Sequence, residues 1–224
     1  MLTLLDNNHG NYEIISTMTR NSTIITKKQI LNAAEKLFAS LGFAGTSLRA
    51  IIREAGVSFA AIHYHFGSKE ELFIAVVRRV AEPVVTEQLR QLKILEESDH
   101  LPSVSEILMA FVTPPLQMLK QGSEESRIHA QFMGCCRTEL HPVHKRAEQE
   151  FRRIEQRFLY ILTKVLPHKY PTELKWKLDL IVAMLVRILN KIEESEIFSE
   201  NNYVEDIDQL VQRLVNFISY GIST

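Results

Sequence analysis

Much that would announce a secreted, membrane or catalytic protein is missing from this sequence. It has only two cysteines, Cys135 and Cys136, and neighbours in the chain cannot bridge each other without strain, so a disulfide framework is excluded. The pair is expected to stay reduced, as two small buried residues. Glycine and proline are scarce, at 8 and 7 residues, which rules out collagen-like and low-complexity classes. No apolar run approaches the roughly 20 residues that a membrane-spanning helix needs. Residues 1–10 carry Asp6 and lack both a basic stretch and a small-residue cleavage site, so no secretory signal is expected and the cytoplasm is the default compartment. A net charge of −1 argues against a general polyanion binder. A Gly-rich phosphate loop, a nucleophile elbow and a convincing metal dyad are also absent, so neither an enzyme nor a bound cofactor is expected.

What is present is 46% hydrophobic and 24% charged residues over 224 positions, enough for a large core in one or two helix-rich domains. Charge is unevenly spread. Residues 26–80 hold Lys27, Lys28, Lys36, Arg49, Arg53, Lys69, Arg78 and Arg79 against Glu35, Glu54, Glu70 and Glu71, and the chain from 81 onward is acidic by a similar amount. A small basic unit ahead of a larger acidic one suits a nucleic-acid-reading head on a solvated body, although chance scatter gives the same pattern.

Residues 1–25 show no sustained periodicity and are rich in Asn, Thr and Ser, which predicts a flexible arm. Thr26-Lys27-Lys28-Gln29 has the form of a capping box and predicts a helix start. Ile30, Ala33, Ala34, Leu37, Phe38 and Leu41 then recur at helical spacing, with Gly42 placed to stop the helix. Thr46 or Ser47 can cap a short helix to about residue 55. Gly56 and Val57 make a tight turn, and Ser58 can cap a second short helix, 59–65. Two short helices joined by a turn containing Gly form a helix-turn-helix, whose second helix lies in the major groove of DNA. Ala60 and Ala61 are small enough to let that helix approach base edges, and Phe59, His63, Tyr64 and His65 offer rings and donors around them. Ile62 and Phe66 read as core. Ser68-Lys69-Glu70-Glu71 is a second capping box opening a long helix. His63 and His65, two positions apart, point to different helix faces and do not suggest a metal pair.

The runs Gly42 to Leu48, Glu54 to Ser58 and Ala61 to Leu72 resemble the N-terminal DNA-binding domain of TetR-type regulators. The resemblance implies an all-α homodimer of about nine helices per subunit, a three-helix helix-turn-helix domain at 26–80 followed by a helical effector-binding and dimerisation domain at 81–224. It implies DNA contacts from the segment Ser58 to His65, with Thr46 and Lys69 on phosphates and Ser47 beside them. Lys69 opposes the dipole at a helix start, which a phosphate partner would explain. The sequence departs from the family pattern at Ile52, Ala60 and His63, so no operator sequence carries over. The implied partners are a palindromic double-stranded operator, a second copy of the chain and a small apolar effector, with no membrane.

In the body, Pro83 is expected to kink or interrupt the fourth helix, and Pro114-Pro115 to end the fifth. A long amphipathic helix is expected after Pro142, stopped by Pro167. Leu178, Ile181, Leu185 and Ile188, with Leu210, Leu214 and Phe217, form two apolar stripes expected to make the dimer interface, with a monomer core as the alternative. Met109, Phe111, Met118, Phe132, Met133, Phe158 and Met184 suit a flexible effector pocket, and ordinary core packing explains them equally. The run Ala60 to Lys69 and the helix spacing after it are similar to fatty-acid-responsive members, which implies a fatty acid or acyl-CoA as effector. Two alternatives stand beside this. One is a metal- or redox-responsive regulator using Cys135, Cys136, His141 and His144, with His129 nearby. The other is a helical interaction protein that binds no DNA.

Overall fold

The computed structural model describes residues 8–121, 123–137, 141–190 and 207–223. Among them every regular element is helical: α1 (Asn8–Gly45), α2 (Leu48–Ala55), α3 (Phe59–Phe66), α4 (Lys69–Glu96), α5 (Val104–Gln117), α6 (Glu124–Cys135), α7 (Pro142–Ala147), α8 (Arg152–Val165), α9 (Pro171–Asn190) and α10 (Ile207–Ser223), with 3₁₀ turns at Met118–Gln121 and Glu148–Glu150. The all-helical expectation therefore holds, with ten helices among the described residues.

Helix α1 begins at Asn8, so Thr26 lies inside it and caps nothing, and residues 8–25 are helical where a flexible arm was expected. No glycine or proline stands between Gly10 and Gly42 to break the propagation that favours extending a helix once it has nucleated. Gly42 does break it, at φ 68° and ψ 177°. Ser47 caps α2 by accepting the Ala50 N–H, and Gly56 ends it in the left-handed region at φ 65°, which a side-chain-bearing residue rarely adopts. Ser58 and Ser68 cap α3 and α4 in the same way, through Ala61 and Glu71. The three short-range caps fix where α2, α3 and α4 start.

Ile51, Ile62 and Leu72 are fully buried where these helices meet. Phe73 stands at the centre of the junction between head and body. Its ring meets Phe38 and Phe43 at 5.1 and 5.2 Å, and Phe132 of α6 and His144 of α7 at 5.7 and 5.2 Å. Edge-on contacts of this kind add to the burial energy of the rings.

The prolines behave differently from expectation. Helix α4 runs unbroken through Pro83, which is exposed. Helix α5 continues through Pro114 and Pro115 although both are buried. Pro115 has no N–H to give the Phe111 carbonyl, and the buried side chain of Gln88 donates to that carbonyl at 2.6 Å instead. The helix expected after Pro142 is divided into α7, a 3₁₀ turn and α8. Four Arg–Glu pairs strap α4 to that region: Arg146–Glu71 at 2.7 Å, Arg78–Glu150 at 2.8 Å, Arg153–Glu82 at 2.6 Å, and Arg157–Glu96.

Candidate functional site

Helix α3 presents Phe59, Ala60, His63 and Tyr64 to solvent, and these fall within an arc of about 140° at the 100° per residue of an α-helix. The opposite side holds Ile62, fully buried, with Ala61, His65 and Phe66 half-buried. Phe59 and His63 lie ring to ring at 4.4 Å, so the exposed face carries an aromatic pair with imidazole nitrogens beside a small residue. Ser58 is exposed at the helix start. This is the composition a helix needs to enter a groove and touch base edges.

The residues expected on phosphates divide. Ser47 is exposed at the start of α2. Thr46 is 1% exposed, and its hydroxyl is engaged with the carbonyls of Gly42 at 2.7 Å and Leu37 at 3.1 Å, so it braces the end of α1 and presents nothing to a phosphate. Lys69 is half-buried, with its ammonium 4.3 Å from the centre of the Phe43 ring, a cation–π contact that gives this residue a structural role beside any phosphate contact. Arg49 and Arg53 are exposed one turn apart on α2. The sequence named them only in a charge count, and their helical spacing away from Ile51 and Ile52 was the available signal.

Of the expected effector residues, Phe111 and Met133 line a narrow, mostly apolar cavity of about 30 Å³, bounded also by Val84, Gln88, Pro115, Arg137, Phe151, Ile154, Glu155, Val182, Leu185, Val186 and Leu189. That is room for about one water. Phe132 and Phe158 are fully buried core, and Phe158 packs on Phe111 at 4.4 Å. Met109, Met118 and Met184 pack half-buried against the core and do not line this cavity. An open cavity of about 760 Å³ adjoins it, lined by Arg137, Glu148, Glu155, Lys175, Asp179, Val182, Ala183, Val186, Arg187 and Asn190.

The expected dimer stripes are also redistributed. Leu178, Ile181 and Leu185 are buried within the subunit, while Ile188, Leu210 and Leu214 are half-buried. The exposed apolar side chains of these helices are Trp176 and Leu180 on α9 and Phe217 and Tyr220 on α10. The Lys177 ammonium donates to the Ile222 carbonyl at 3.2 Å, tying the start of α9 to the end of α10.

The metal-type side chains are separately engaged. Cys136 is buried, and burial pushes its thiol up to about 12. The carbonyl of the same residue accepts from His144 Nδ1 at 2.6 Å, which fixes that tautomer. His141 Nδ1 accepts the Val143 N–H at 3.2 Å as the cap of α7. The Cys135 thiol faces the Phe38 carbonyl at 3.6 Å. His129 pairs with Glu35 of α1, a carboxylate that is 2% exposed and also held by Arg79 of α4. No group of three metal-ligand side chains occurs among the described residues, and none of their helices is long and apolar enough to cross a membrane.

A buried three-helix packing that holds one exposed, capped helix face is the architecture of a helix-turn-helix DNA-binding regulator. Residues 30–76 match the family described as bacterial regulatory proteins, tetR family, and residues 109–221, half of the chain, match the tetracyclin repressor-like C-terminal domain. The chain belongs to the TetR family, whose members are transcriptional regulators that bind DNA and not enzymes. Among relatives, it is 36% identical to the transcriptional repressor AcnR of Corynebacterium efficiens over 74 residues, 31% of this chain and 39% of that protein. It is 48% identical to the regulator RutR of Escherichia coli over 56 residues, 25% of this chain and 26% of that one. The chain thus spans well under half the length of these curated relatives. Its fold is shared with the fatty acid degradation regulator FadR of Bacillus halodurans at a TM-score of 0.64 and 16% identity, covering 87% of this chain and 98% of that one. It is shared likewise with the efflux-pump repressor NalD of Pseudomonas aeruginosa at 0.59 and 21%, covering 88% and 96%.

Proposed function

We propose that this regulator is a homodimeric repressor that binds a palindromic operator through α3 of each subunit and lets go when a small apolar effector enters the body. The observation that carries the reading is the exposed arc Phe59, Ala60, His63 and Tyr64 on a helix anchored by buried Ile62. Residues 26–80 act as the DNA-binding unit and 81–224 as the effector and dimer unit. Base edges meet the exposed arc, and Ser47, Ser58, Arg49, Arg53 and Lys69 serve phosphates. The two copies join through Trp176, Leu180, Phe217 and Tyr220, exposed apolar groups that a lone subunit leaves in water. Two recognition helices set about 34 Å apart, one turn of DNA, then read two half-sites.

Effector action is a population shift between two separations of the recognition helices. The body provides the narrow apolar cavity, which at about 30 Å³ must widen to admit a ligand, and Met133 is the adaptable part of its wall. A fatty acid or acyl-CoA is the first class to test. The experiment is a mobility-shift titration on the DNA upstream of the protein's own gene, with the stoichiometry read by mass. Two subunits per site, loss of the complex as salt rises and release by an acyl ligand support the whole reading. Specific binding that no acyl ligand disturbs removes the effector class. A single subunit per site removes the dimer.

A further inference from the structure

The narrow apolar cavity and the wider one beside it share four lining residues, Arg137, Glu155, Val182 and Val186. Arg137 and Glu155 pair across this boundary at 2.6 Å, with side chains only 17% and 22% exposed. A largely shielded ion pair contributes little net stability, because removing both charges from water offsets most of their attraction. Its position therefore calls for another explanation. The two halves are not held equally. The Arg137 guanidinium also lies 4.2 Å from the centre of the Phe151 ring, and Phe151 is itself buried in the cavity wall. Glu155 has Arg137 as its one ion-pair partner among the described residues. If the pair opens, the arginine keeps a partner and stays, and the carboxylate is the half that leaves.

We infer that the Arg137–Glu155 pair is a ligand gate, and that its ligand is an amphipathic acid, an anionic head group on an apolar tail. The head takes the place of the Glu155 carboxylate on the fixed guanidinium, whose planar fork suits a carboxylate or a phosphate. The tail passes Val182 and Val186, the apolar wall that both cavities share, toward Phe111 and Met133. The outer cavity, at about 760 Å³, falls in the range of small-molecule sites. Lys175 is engaged with Asp179 there, and Arg187 adds a further exposed cation to its rim. Arg137 stands two residues beyond the end of α6, just after its cap residue Cys136, and the same helix carries His129, which holds Glu35 of α1. A head group on Arg137 thus acts on the element that bridges body and head.

This inference rests on reading the body as an effector domain, and the test separates the two. Titration calorimetry on the full chain measures binding of decanoate, decyl phosphate, decan-1-ol and decylamine, and fluorescence anisotropy separately measures operator release. The wild type is expected to bind the two anions at least about tenfold more tightly than the alcohol, the worth of a charge-assisted hydrogen-bonded pair. Arg137→Gln should abolish that preference while leaving alcohol binding in place. Glu155→Gln, which removes the competitor, should tighten anion binding several-fold, a gain that misfolding cannot mimic. The stronger of decanoate and decyl phosphate identifies the head group. Equal anion binding by Arg137→Gln and wild type, a preference for decylamine, or no binding of any of the four overturns the gate. Binding with the expected preferences but without operator release upholds the gate and removes the effector reading.

Discussion

The head and the body each bury helix faces and cap helix starts locally, and the body relies in addition on contacts between distant residues. In the head, Ser47, Ser58 and Ser68 each accept an N–H three residues ahead, and Gly56 turns the chain between α2 and α3. These interactions span three or four residues. In the body, the deciding contacts lie far apart in sequence: Gln88 on the Phe111 carbonyl, Arg78 on Glu150, Arg137 on Glu155. Helix starts are thus set locally in both regions, since Ser103, Ser123 and His141 cap α5, α6 and α7, whereas the path of the body's helices past its prolines and against one another depends on distant partners being in place.

Phe73 is where that contrast can be broken most forcefully, since its ring serves both sides. Phe73→Ala should cost about 3–5 kcal/mol, lowering the melting temperature by roughly 10 °C in a single calorimetric transition. Two separate transitions would mean that head and body fold independently. Glu35 comes next. Its buried carboxylate joins α1 to Arg79 and His129, and both partners are about a third exposed, so Glu35→Ala should cost about 3 kcal/mol, the low end for a broken buried pair. An unchanged melting temperature would show that the latch contributes nothing to the joint. A smaller effect tests the local code of the head: Ser58→Ala should cost about 1 kcal/mol, seen as a modest drop in denaturant midpoint with no change in its slope. The mildest test concerns the body's thiols. With its ionisation raised to about 12 by burial, Cys136 stays protonated and should resist a thiol reagent at pH 8 in the native protein, reacting only when the chain unfolds. Rapid native labelling of Cys136 would show that α6 opens readily and would revive a redox role.

The same contrast explains what the sequence disclosed. The starts of α2, α3 and α4 and the inward position of Ile62 are legible because caps and turn glycines act on their immediate neighbours. Thr46 misled because a hydroxyl at a helix start can serve its own backbone or a ligand, and only the fold shows it turned toward Gly42 and Leu37. Prolines misled in the body because the carbonyl orphaned by Pro115 is rescued by Gln88, 23 positions from Phe111 and invisible to any local rule. On α9 the apolar stripe is wide enough to wrap two faces, and periodicity cannot say which of them the subunit keeps. Leu178, Ile181 and Leu185 went to the core, and Trp176 and Leu180 were left outside. The Arg137–Glu155 pair was legible only as two charges 18 residues apart.

The central claim, that the exposed face of α3 reads DNA, is tested most directly by measuring operator affinity against salt for the wild type and for His63→Ala. For the wild type, the logarithm of affinity should fall linearly with the logarithm of salt concentration. His63→Ala should bind the operator about tenfold or more weakly while keeping the same salt slope and the same affinity for unrelated DNA, as expected when a base contact is lost and phosphate contacts remain. A wild type indifferent to salt, or a variant that holds its operator as tightly as the wild type, would contradict the account.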